Sequence, residues 1–169
     1  AEMAVGMIGD KQNEDALELL LSIIEIPILT SDPAPKAIKA LGLWRTDHER
    51  IAEALITDFP AMSGAGKTET CRILSEWNMK PFAPELIRAI FASKDFSLNE
   101  DLTRQLKKIV TPECVPILLA ALPTPEALPR FRGGGEGATR LLDLFGEVPD
   151  PKGIPQLLEH LTNSVSFVM

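Results

Sequence analysis

The stretch that carries the most chemistry is Ala61-Met62-Ser63-Gly64-Ala65-Gly66-Lys67-Thr68. It matches a relaxed phosphate-binding loop, with Ala61 where the first glycine of that pattern stands. In such a loop the glycines let backbone N–H groups close around phosphates, the lysine reaches the outer phosphates and the threonine holds the metal. That mechanism needs a strand before the loop and a parallel sheet around it. Here residues 50–58 carry the spacing of an amphipathic helix, Pro60 breaks the approach, and no strand–helix units follow. A turn between two helices accounts for the same residues, and nucleotide binding stands as the lesser alternative.

The other candidates are thinner. A metal site takes three or four ligands, and the chain has two histidines, His48 and His160. His48-Glu49 is a single pair and reads as a solvated helix start; His160 is preceded by its acid, Glu159. No metal and no cofactor is expected. Glu18 and Glu53 could pair as acid and base, yet no nucleophile or histidine accompanies them, so they read as a solvated acidic face and no catalytic residue is assigned. Arg104, Lys107, Lys108, Arg130, Arg132 and Arg140 make the second half locally basic. The chain as a whole has 17 Lys and Arg against 24 Asp and Glu, a net charge of −7. That balance argues against a phosphate backbone as the partner. The Arg130-Phe131-Arg132 tip of the 123–136 insertion fits a protein-docking loop or a mobile connection better.

These residues sit on a repeating frame. Leu41-Gly42-Leu43-Trp44 returns as Leu74-Ser75-Glu76-Trp77, and the anchors Ile8, Leu41, Leu74, Ile109 and Phe145 are 33, 33, 35 and 36 residues apart. A period in that range marks stacked supersecondary units. Gly42 reads as a helix stop. Trp44 and Trp77 read either as aromatic anchors for a partner or as packing between repeats. The apolar spacing predicts a helix ending at Gly9, a second over 15–24 capped by Asn13 or a neighbour and ended by Pro27, then helices over 35–43 and 48–58, with Asp47 as N-cap of the latter. Ser63–Gly66 reads as a turn, followed by helices over 67–77 and 84–93. Further helices are expected from Asn99, over Val115–Leu122 after a turn at Thr111-Pro112, and over 137–145 and 151–161.

Aligning the second helix of each pair from Ala16, Ile51, Leu86, Val115 and Ile154 sorts their faces. The fourth column is Leu19, Ala54, Ala89, Leu118 and Leu157, and the fifth is Leu20, Leu55, Ile90, Leu119 and Leu158. Both are wholly apolar and are expected to be buried by neighbouring pairs. The third column, Glu18, Glu53, Arg88, Ile117 and Gln156, reads as an exposed ladder.

The pattern Ala-x-x-Leu-Gly, a turn, then Val/Ile-Pro-x-Leu-Leu-x-x-Leu resembles the HEAT-like repeats of the phycobilisome-lyase type. It is carried by Lys39-Ala40-Leu41-Gly42, by Cys114-Val115-Pro116-Ile117-Leu118-Leu119-Ala120-Ala121-Leu122 and by Gly153-Ile154-Pro155-Gln156-Leu157-Leu158-Glu159-His160-Leu161. The chain departs from it at Ser75 and Val110, where Gly is usual, and at the 123–136 insertion. The resemblance spans about residues 3–162. It implies an all-α, right-handed α-solenoid of about five helical hairpins, at about 1–27, 35–60, 64–94, 99–123 and 137–162, with a tail at 163–169. Such repeats mostly serve as scaffolds. The expected function is therefore non-enzymatic: a concave helical surface for a protein partner, contacted through Glu18, Glu53, Arg88 and Gln156, with Trp44 and Trp77 as further anchors. The lyase-type resemblance implies the alternative, a bilin lyase or chaperone-like factor acting on a chromophore-binding protein.

Composition sets the remaining bounds. Hydrophobic residues make up 45% of the chain and aromatics 5%, with no Tyr, so a folded core must be aliphatic. Cys71 and Cys114 lie in apolar helical patterns and are expected to be buried free thiols. No apolar run reaches the ~18–20 residues of a membrane span, and the first residues lack the basic and apolar regions of a secretory leader. The expected location is the cytoplasm. Ala1 begins in mid-pattern, as a fragment or a processed chain would.

Overall fold

Short polar side chains start several of the helices. In the computed structural model, which describes residues 13–24, 34–93, 99–122 and 134–148 with Ile154, Pro155, Leu157 and Leu158, every regular element among the described residues is helical. Asn13 Oδ1 accepts from the Ala16 N–H at 2.9 Å, Asn99 Oδ1 from the Leu102 N–H at 2.8 Å and Ser63 Oγ from the Gly66 N–H at 3.2 Å. Each satisfies an N–H that the first turn of a helix leaves without an intrahelical partner.

The chain divides into two compact units, Ala1–Phe82 and Ala83–Met169. The first holds α1 (Glu14–Ile24), α2 (Ala34–Leu41), α3 (His48–Asp58) and α4 (Gly64–Glu76), with single 3-10 turns at Phe59–Ala61 and Lys80–Phe82. The second holds α5 (Ala83–Ala92), α6 (Glu100–Leu106), α7 (Val115–Ala121) behind a 3-10 turn at Pro112–Cys114, and α8 (Gly134–Gly146). The expected helix before Gly9, the loop after Pro27, the tip at Arg130 and Arg132, His160 and the tail lie outside the described residues.

Packing follows the alternation of first and second helices. In the first unit α2 lies against α4 and α1 against α3, with α1 also against α2. In the second unit α6 lies against α8 and α5 against α7. The buried positions repeat accordingly. Ala34, Ala37, Ile38, Ala40 and Leu41 of α2 are buried, and so are Lys67, Thr70, Cys71, Ile73 and Leu74, their counterparts 33 residues on in α4. Ala16, Leu17 and Leu20 of α1, Ile51, Ala52 and Leu55 of α3, and Leu86, Ile87 and Ile90 of α5 are likewise buried at a 35-residue interval. Leu17, Leu20, Ile38, Leu41, Ile51, Leu55 and Ile73 form one aliphatic core in the first unit. Burying each such side chain contributes about 1.5–3 kcal/mol.

Several expectations need correction. In α1, α3 and α5 the inward stripe is the first, second and fifth column, and the fourth lies at its margin: Leu19 is 47% exposed. Ile154, in the first column, is 50% exposed. Leu158, in the fifth column, is 57% exposed. Around the start of α7 the buried set is Cys114, of the preceding 3-10 turn, with Val115 and Leu118 of the helix, so the register begins one residue earlier than the alignment put it, and Leu119 is only half-buried. Pro116, exposed, then replaces Ile117 in the third column. Gly64–Gly66 form the first turn of α4 and not a free turn, because Ser63 caps them. Gly134 and Gly135, within the expected insertion, open α8. Asp47 does stand at the N-cap of α3, but its φ is 59° and its side chain makes no cap; it accepts from Thr46 Oγ1 at 2.7 Å.

Both cysteines are free and buried, and burial pushes the Cys71 thiol well above its ordinary range. Among the described residues no helix is long and apolar enough to cross a membrane.

Candidate functional site

The phosphate-loop lookalike is the start of a helix and holds its own side chains. It follows α3 and a 3-10 turn, and its serine is the N-cap of α4. Lys67 is 5% exposed, with Nζ 5.9 Å from the centroid of the Phe59 ring. Its stem lies in the core and its ammonium meets an aromatic face, an arrangement that partly offsets the desolvation of the charge. Thr68 Oγ1 donates to the Gly64 carbonyl oxygen at 2.9 Å. The lysine that would serve phosphate is therefore directed into the protein, and the exposed threonine that would hold the metal gives its hydroxyl to its own helix.

His48 has a comparable structural position. Its ring lies on the Trp77 indole, with centroids 4.0 Å apart and planes 12° from parallel. Its Nε2 is 2.8 Å from the Trp44 carbonyl oxygen. One imidazole thus braces the turn before α3 against the end of α4. Trp44 itself is 4% exposed and belongs to the core, while Trp77 is partly buried at the core's edge. The two indoles occupy equivalent repeat positions, but the ring stacked on Trp77 is the imidazole. Among the described residues no three His, Cys, Asp or Glu are grouped as a metal ion would require.

What remains exposed is an acidic face on α1 and α3. Glu14 and Glu18 project from α1, and Glu49 and Glu53 from α3. Arg50 reaches from α3 to α1, where Nη1 is 2.6 Å from Glu14 Oε1 and Nη2 pairs with Glu18. Glu14 is the larger influence and Glu18 the next in raising the Arg50 pKa further above its ordinary value. Beside this clasp an open depression of about 490 Å³ is lined by Thr46, Asp47, His48, Glu49, Arg50 and Glu53. Its three carboxylates face a guanidinium already shared between two further carboxylates, so the local field is negative.

Arg88 is exposed on α5 in the second unit, 3.7 Å from Glu85, and Gln156 lies outside the described residues. Among the described basic side chains of the second unit, Arg104 lies 3.2 Å from Asp101 and 3.4 Å from Glu100, Lys107 lies 3.4 Å from Glu147, and Lys108 Nζ donates to Gln105 Oε1 at 3.1 Å. Sequence reasoning singled out Glu18 and Glu53 and missed Glu14 and Arg50. The available signal was Glu14 four residues before Glu18, on the same helical face; the pairing with Arg50 depends on α1 lying against α3.

Comparison with protein-family models, with curated proteins and with solved structures found no match. The reading of function therefore rests on the residues themselves.

Proposed function

We propose that this chain is a non-enzymatic scaffold, a right-handed α-solenoid of HEAT-like helical pairs, which holds a protein partner on the exposed face of its second helices. The observation that carries the reading is the register. In α1, α3 and α5 the first, second and fifth positions are buried while the third position, Glu18, Glu53 or Arg88, is exposed. Helices that share one buried stripe and leave one outward column free are what a stacked repeat needs, and the free column is where binding evolves without disturbing the core.

The partner that suits Glu14, Glu18, Glu49 and Glu53 is a protein with a basic segment, drawn in by charge complementarity. The free thiols Cys71 and Cys114 fit a reducing compartment such as the cytoplasm. The test is affinity capture from the source cells, followed by binding of the captured protein to the wild type and to Glu18→Lys with Glu53→Lys. The double variant is expected to bind roughly tenfold or more weakly, about 1.4 kcal/mol, with its melting temperature nearly unchanged because exposed ion pairs contribute little to stability. Equal binding by the two proteins removes this face from consideration.

A further inference from the structure

We draw no further inference here: the strongest candidate, the acidic depression at the start of α3 lined by Asp47, Glu49 and Glu53, belongs to the face already proposed for docking, and nothing in the structure shows what covers it.

Discussion

Gly42 ends α2 and faces α4 closely enough that a side chain has no room. A Cβ built on it would lie 2.8 Å from Ile73 Cδ1, 2.9 Å from Ile73 Cγ1 and 3.2 Å from the Lys39 carbonyl oxygen. Its backbone is outside the left-handed region, so the requirement is close approach, which a reading of Gly42 as a simple helix stop does not contain. Gly42→Ala should destabilise the protein by about 1–3 kcal/mol, the usual effect of overpacking a filled core, measured by urea unfolding. Ile73→Val removes the nearest methyl, so the double variant should lose less than the sum of the two singles. Strict additivity would show that the contact is not the cause. Ser75 is the counterpart of Gly42 one repeat on and is itself buried. The same alignment therefore hides two different local geometries.

At the scale of the helix, α4 stops on a specific device. Asn78 has φ 54°, the Met79 N–H donates to the Leu74 carbonyl oxygen at 2.9 Å, and the Asn78 N–H donates to the Ser75 carbonyl oxygen at 3.1 Å. This paired arrangement closes the last turn around a left-handed residue. Asn tolerates that conformation better than most residues but less well than glycine. Asn78→Gly is accordingly expected to stabilise the protein by roughly 0.5–1 kcal/mol, seen as a higher urea midpoint with an unchanged slope. A lower midpoint would mean that the Asn78 side chain contributes something the backbone bonds do not. The register of α7 makes a second test. Leu118 is fully buried and Leu119 is not. Leu118→Ala should cost about 2–5 kcal/mol and Leu119→Ala markedly less, and the reverse order would restore the register that the alignment suggested.

The whole molecule is two units with probes that separate them. Trp44 and Trp77 both lie in Ala1–Phe82, whereas Cys114 lies in Ala83–Met169. In repeat architectures each pair leans mainly on its neighbours, and cooperativity can break between segments. Indole fluorescence and thiol labelling of Cys114, followed in a Cys71→Ala background through one urea series, are expected to report different midpoints. Coincident curves would instead show that the chain unfolds as a single cooperative body. Charge also acts at this scale. With a net charge of −7, association of the proposed basic partner with the α1–α3 face should slow as salt rises in stopped-flow binding, since screening shortens the reach of the field to about 8 Å at physiological ionic strength.

Local chemistry was readable in the residues alone. Asn13 and Asn99 cap helices because an Asx side chain needs only its own next three residues, and α3 covers the residues 48–58 that the apolar spacing marks out. The 33-residue match of α2 with α4 was legible for the same reason: identical register leaves identical spacing. The run Ile117-Leu118-Leu119-Ala120-Ala121-Leu122 is apolar on every side, so its spacing does not say which residue turns inward. That is decided by what α7 lies against. Lys67 looks like a phosphate ligand until Phe59 is brought beside it, and His48 looks like a solvated helix start until Trp77, 29 residues on, arrives to stack on it. The acidic column at Glu18 and Glu53 was visible as a pattern; that Arg50 joins Glu14 and Glu18 across two helices was not. Helix starts and periods are set by neighbours a few bonds away, whereas burial of a charge and the stacking of rings depend on contacts that exist only after the helices have packed.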